Sequence, residues 1–221
     1  MRFDLSTALA AIVPGRPLVV TDADGVLLCF TGGLEKWLRK RGLYLDLTSY
    51  RLEGSIRRLD DNSRILDVEF VALLDEFRSD LDHLDAVEGA IEALAELAEV
   101  ANVVVLSNVN RDQAVARWRN FETLGIAYPL IANDAGEGFM AGKGKAMKAL
   151  AARAGAKTFF IDDIPANLIA VGEEAPDVVL VHVVESDALR RLLGTDFPAH
   201  CHAENWAAAK AFILGQLNQG A

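Results

Sequence analysis

Four short runs of apolar, mostly β-branched residues recur along the chain without alternating with polar ones: 17–23, 102–107, 157–162 and 177–183, with a weaker fifth at 128–132. An alternating strand is covered on one face, whereas a continuous apolar run is covered on both, as strands of parallel sheets are. Between the runs the spacing of apolar residues turns helical, over 87–99, 111–124, 144–153, 166–173 and 203–217. Strand and helix in alternation predict an α/β fold, a Rossmann-like parallel sheet with helices on both faces. Ligands of such sheets bind beyond the carboxyl ends of the strands, so polar residues there are the candidates for function.

The stretch 31–84 breaks the alternation. It carries helical spacing over 34–41 and 65–81 but no convincing buried strand. It is expected to be a small helical cap inserted after the first strand and folded over the site, as water-excluding lids are, the alternative being ordinary surface helices of one domain. The core domain is then 1–30 with 85–221, and the cap 31–84. A length of 221 residues suits one such core plus a modest insertion.

The formal net charge of -10 argues against nucleic acid or an anionic membrane as partner, since both would be repelled. A small anionic substrate is compatible with it if a divalent ion or a few basic side chains lie close by, because distant charge is screened beyond about 8 Å at physiological salt. The two cysteines, Cys29 and Cys201, show no Cys-x-x-Cys pairing, which points to reduced thiols and a cytoplasmic setting rather than a zinc site or disulfide framework. Met1-Arg2-Phe3-Asp4-Leu5 carries an acid where a secretion signal would be basic, and no run approaches a membrane span in length. Apolar interface and core look alike in pattern, so the oligomeric state is left open.

The strand ends carry a consistent set of groups: Asp22 and Asp24 after the first run, Ser107 and Asn108 after the second, Asp162 and Asp163 after the run at 157–162. Lys143 and Lys145 open the helix preceding that last run. In a parallel sheet these ends are neighbours, so acids distant in sequence converge on one crevice. Carboxylates packed together repel one another unless a cation sits among them, and oxygen-only ligands of this kind suit Mg²⁺. Phosphoryl transfer needs an attacking oxygen in line with the leaving oxygen and neutralisation of the equatorial oxygens. Asp22 can supply the attacking carboxylate, Asp24 can act as acid and base, and Ser107, the backbone around Asn108, and Lys143 can hold the phosphate.

Val19-Val20-Thr21-Asp22-Ala23-Asp24-Gly25-Val26-Leu27 resembles the first motif of the haloacid dehalogenase superfamily, an apolar strand ending in Asp-x-Asp-Gly-Thr/Val. Leu106-Ser107-Asn108 resembles its second motif, Lys143 in Lys-Gly-Lys-Ala-Met its third, and Phe160-Ile161-Asp162-Asp163 its fourth, over essentially the whole chain. The resemblance implies a Mg²⁺-dependent phosphatase with a helical cap, acting on a small phosphorylated substrate through an aspartyl-phosphate. It makes Asp22 the nucleophile and a metal ligand, Asp24 the acid/base that also binds metal through its main-chain carbonyl, and Asp163 the other carboxylate ligand. Asp162 and Asn167 would support that ligand from behind, with Asp162 the alternative to Asp163 as the direct ligand. Lys143 fits the family pattern better than Lys145, although both lie where a helix begins and either could reach a phosphate. Position 23 is Ala where many relatives carry a bulkier apolar residue.

Other readings compete less well. Gly136-Glu137-Gly138 with Gly142-Lys143 is similar to nucleotide-binding glycine patterns, but a P-loop needs Gly where Glu137 stands and Ser or Thr where Gly144 stands. His200-Cys201-His202 supplies too few ligands for a metal site and is expected in the loop before the last helix. Trp37, Trp118 and Trp206 are expected to pack in the core or under the cap. Arg51, Arg57, Arg58 and Arg64 form a basic cluster that either steers an anionic substrate or is simply solvated surface. The rival functions are a phosphomutase, a dehalogenase, and a non-catalytic phosphate-binding protein of the same fold.

Overall fold

A computed structural model describes residues 3–133 and 142–219 of the chain. Six strands form one parallel sheet in the order β5-β4-β1-β6-β7-β8: β1 (Leu18–Thr21), β4 (Asn102–Ser107), β5 (Leu130–Ala132), β6 (Thr158–Asp162), β7 (Val179–His182) and β8 (Cys201–His202). The four continuous apolar runs and the weaker fifth are thus all strands. Successive side chains of each strand enter opposite layers. Val19, Val105, Phe159 and Ile161 pack with Leu94, Phe121 and Trp206, while Leu18, Val20, Leu106 and Phe160 pack with Met147, Leu150 and Val171.

The helices supplying those layers are α1 (Leu5–Ala11), α4 (Ala90–Val100), α5 (Arg111–Leu124), α6 (Gly144–Ala154), α7 (Pro165–Glu174), α8 (Asp187–Leu193) and α9 (Trp206–Asn218). Local chemistry places their ends. Asn110 accepts from Gln113 N while its own N–H donates to the Gln113 side chain, a reciprocal cap that starts α5 just beyond β4. Pro165 begins α7 where its missing N–H costs nothing. Asn205 caps α9 by accepting from Ala208 N at 2.9 Å. Among the described residues, no helix is long and apolar enough to cross a membrane.

The segment between β1 and α4 contains the two expected helices, α2 (Phe30–Arg39) and α3 (Asp67–Ser79). It is not purely helical. An antiparallel pair, β2 (Leu43–Leu45) with β3 (Ile56–Arg58), lies between them. Each of these strands is three residues long and buries one side chain, Leu43 and Ile56, so neither produces a recognisable apolar run. A second correction concerns His200-Cys201-His202, whose last two residues form the edge strand β8 rather than a loop. A two-residue strand at a sheet edge is too short to carry a period. The glycine pattern at 136–138 lies outside the described residues.

The outgoing and returning crossings between sheet and insertion run side by side. Cys29 N donates to Asp85 O and Val87 N to Leu27 O, at 2.9 and 2.8 Å.

Candidate active site

β1 is the central strand, with Thr21 in register with Val105 of β4 on one side and Ile161 of β6 on the other. Asp22 therefore emerges between the ends that carry Ser107 and Asp162, and its N–H donates to Ile161 O at 2.8 Å. The chain then turns at Gly25, with φ of +79°. A Cβ there would lie 2.5 Å from Asp163 Oδ2, so only glycine lets the first and last motifs close on each other.

Lys143, just before α6, is buried, with its Nζ 2.6 Å from Asp22 Oδ1 and donating to Asp162 Oδ2 at 2.7 Å. Asp162 is fully engaged. Its carboxylate also accepts from Ile164 N at 2.8 Å and from Asn167 Nδ2 at 3.0 and 3.1 Å. Asp163 differs: one oxygen accepts from the Tyr50 hydroxyl, and the other, Oδ1, is buried without a hydrogen-bond partner. Carboxylate oxygens of Asp22, Asp162 and Asp163 lie within 4.8 Å of one another.

Burial pushes the Asp22 carboxyl up to about 7; Lys143 opposes this, and Asp162 and Asp24 add to it. Burial likewise holds Asp163 well above the usual carboxylate range, reinforced by Asp162 and Asp22. Burial alone would lower the Lys143 ammonium, but Asp162 and Asp22 outweigh it and hold it above the ordinary lysine value. One ammonium is thus too little positive charge for three buried acids. The orphaned Asp163 Oδ1 beside Asp22 suits a hard divalent cation, so the residues fit the Mg²⁺ that the resemblance implies.

A cavity of about 350 Å³ opens above the acids. Asp22, Asp24, Ser107, Asn108, Lys143 and Asp163 line its floor, and Asn167 also reaches it. Ser107 is buried there, and Asn108 Oδ1 accepts from Asn133 Nδ2 at 2.8 Å. Every anticipated site residue except Asp162 borders the cavity, and Asp162 stands directly behind Lys143. Lys145 is exposed and does not border it, which separates the two lysines in position if not in role.

The insertion contributes Tyr50, Leu52, Arg78 and Leu81 to the walls. Of the anticipated arginine cluster, Arg57, Arg58 and Arg64 pair at the surface with Asp46, Glu69 and Asp67 at 2.6, 2.7 and 2.9 Å. The arginine that borders the cavity is Arg78, from the last turn of α3, whose pKa is lowered by burial. Trp37 and Trp206 are buried as expected, while Trp118 is half-buried against Phe3. His200 and His202 serve the sheet edge: His200 Nδ1 accepts from Leu180 N at 2.9 Å, and His202 Nδ1 meets His182 Nδ1 at 3.2 Å.

Among the described residues, Arg78, Arg117 and Tyr50 all escape the motif pattern. Arg117, in the middle of α5, is fully buried and pairs with Asp24. Tyr50 stands in a loop of the insertion. The only sequence signal for Arg117 is a charge one turn beyond Gln113 on the same helix face, which surface helices share.

No protein-family model matches the chain, and no curated protein matches its sequence. Solved structures do match. A HAD family hydrolase from Deinococcus radiodurans R1, with bound phosphate and sodium, is 21% identical with a TM-score of 0.59 over 92% of this chain and 97% of its own. A HAD-superfamily hydrolase of subfamily IA from Geobacter sulfurreducens is 16% identical with a TM-score of 0.55 over 89% and 99%. The defluorinating L-2-haloacid dehalogenase Rha0230 is 14% identical with a TM-score of 0.59 over 91% and 100%. With its six parallel strands and the acids at the tips of β1 and β6, the chain has the haloacid dehalogenase-like fold.

Proposed function

We propose that the protein is a Mg²⁺-dependent phosphomonoester hydrolase acting on a small phosphorylated metabolite through an aspartyl-phosphate on Asp22. The observation that carries this reading is the buried trio of Asp22, Asp162 and Asp163, bridged by Lys143 but left with an unpartnered oxygen on Asp163, at the floor of a cavity. The phosphate and sodium bound to the Deinococcus protein support the same ligand chemistry here.

Asp22 attacks phosphorus with a carboxylate oxygen as the bond from phosphorus to the ester oxygen breaks. The electron pair leaves on that oxygen, which takes the proton of the Asp24 carboxyl group. Water then attacks the aspartyl-phosphate, giving a proton to the Asp24 carboxylate. The bond from phosphorus to Asp22 breaks, and inorganic phosphate departs. Lys143, Ser107 and the backbone near Asn108 hold the phosphate oxygens throughout. Asp22, Asp163 and the Asp24 carbonyl would hold Mg²⁺, which when bound neutralises charge on those oxygens, while Asp162 and Asn167 fix Lys143 and the β6 tip from behind. The insertion at 31–84 acts as the cap, and the cavity it helps enclose fits a small molecule better than a macromolecule.

A dehalogenase reading draws on relatives such as Rha0230, but displacing halide from carbon calls neither for a proton donor at Asp24 nor for an unpartnered acid at 163. A panel of phosphomonoesters and 2-haloacids, assayed for phosphate and halide release with Mg²⁺, separates the two. Phosphate release that stops in Asp22→Asn is expected. Halide release alone, no release from any ester, or turnover by Asp22→Asn would each overturn the proposal, and phosphoryl return to substrate instead of water would make the protein a mutase.

A further inference from the structure

We infer, on the acid/base reading of Asp24 given above, that Arg117 is its positioning residue and ties it to the segment on which the insertion returns to the core. The Arg117 side chain is fully buried, and its Nη2 pairs with Asp24 Oδ1. Its Nη1 donates to Asn120 Oδ1 and to the carbonyl of Leu81, both at 3.2 Å. Leu81 lies where the chain leaves the insertion and borders the cavity. One turn along α5, Asn120 Nδ2 donates to Leu84 O at 2.9 Å.

A single guanidinium thus spans three groups: the acid that faces the substrate, the returning chain, and a side chain that grips the same chain three residues later. A planar fork of donors fixes direction as well as distance, which a lysine cannot do. Asp24 itself sits on a turn followed by Gly25, where the backbone alone leaves the carboxylate free to rotate. Arg117 therefore holds it from α5, and a displacement of the return segment is passed through Leu81 O to Arg117 and on to Asp24. Arg117 does not border the cavity and pairs with the Asp24 carboxylate, not with the Asp24 carbonyl that would hold the metal; it acts through that carboxylate.

The test compares two esters that differ in how much they need a proton. A simple alkyl ester such as glycerol phosphate cannot lose its alkoxide unprotonated, whereas p-nitrophenyl phosphate releases a stable anion. The value of kcat/KM reports the first half-reaction, in which Asp24 is the proton donor. Arg117→Met is expected to lower kcat/KM for the alkyl ester by about 100-fold, in the range of a lost general acid, and for the aryl ester by about threefold or less. Arg117→Lys, the variant that carries the comparison if Arg117→Met does not fold, should show the same inequality more weakly. Asn120→Ala, which removes both the grip on Leu84 O and one partner of Arg117 Nη1 without touching Asp24, should show it too. Equal losses on both esters, or no loss on either, would reduce Arg117 to a packing role. An unaffected Asn120→Ala would break the link to the return segment. If the unaltered protein hydrolyses neither ester, the acid/base reading itself falls, and the role of Arg117 falls with it.

Discussion

Tyr50 donates its hydroxyl to Asp163 Oδ2, so a side chain of the insertion rests on an acid at the tip of β6. Burial, then the charge of Asp163, pushes the phenol far above its ordinary pKa, and it stays a proton donor. Tyr50→Phe is expected to cost about 1 kcal/mol of stability in the metal-free protein. Added Mg²⁺ offers Asp163 another partner, so the deficit should shrink. Denaturant titration with and without Mg²⁺ checks this, and equal deficits would argue against Asp163 as a ligand.

Asp22 makes the metal-free protein sensitive to pH. Its folded-state pKa of about 7 lies above the ordinary 3.8, so between those values the folded chain holds more protons than the unfolded one. The contribution is present below about pH 4 and is lost as pH rises through 7, at up to roughly 1.4 kcal/mol per pH unit. Asp22→Asn removes that slope. Metal-free Asp22→Asn should therefore be more stable than the unaltered protein at pH 8 and no more stable at pH 4, as thermal melts would show; a pH-independent difference would contradict the assigned cause.

Lys143→Met strips the buried acids of their cation. Leaving Asp22 and Asp162 buried without it should cost about 3–5 kcal/mol near neutral pH. On the function proposed, phosphate release should vanish as well. Lys145→Met, at an exposed position, is the control and should leave both melting temperature and turnover near normal.

Gly25 and Gly42 both hold positive φ, +79° and +71°, but only at Gly25 would a Cβ meet an obstacle, Asp163 Oδ2. Gly42→Ala is expected to show backbone strain alone, about 1 kcal/mol. Gly25→Ala should lose more than this and also weaken Mg²⁺ binding, measured by calorimetry. Equal losses and unchanged metal affinity would mean that Asp163 moves aside freely.

Much of this geometry is legible in the residues alone, because the strands that carry it are buried on both faces. β1, β4 and β6 show as unbroken apolar runs, and each ends in the polar group it delivers. β8 and the β2–β3 pair are too short to show a period, and their pairing depends on partners elsewhere in the chain. α1 and α8 are seven residues each, too short for a clear period, and begin at caps where Asp4 accepts from Thr7 N and Ser186 accepts from Leu189 N. The charge of Arg117 reads like that of any helix surface until α5 is laid against the return segment, and the reach of Tyr50 depends on how the insertion folds over the sheet. Motif residues sit where the backbone directs them; Arg117 and Tyr50 act across tertiary contacts that sequence spacing does not encode.

The paired crossings at Cys29 with Asp85 and Leu27 with Val87 bring the two ends of the insertion together at a single doorway. A segment that leaves and re-enters through neighbouring positions can lengthen, shorten or be exchanged without shifting the register of β1 against β4 and β6. On the function proposed, residues of the roof that would choose a substrate could then change without disturbing the floor that would break the bond.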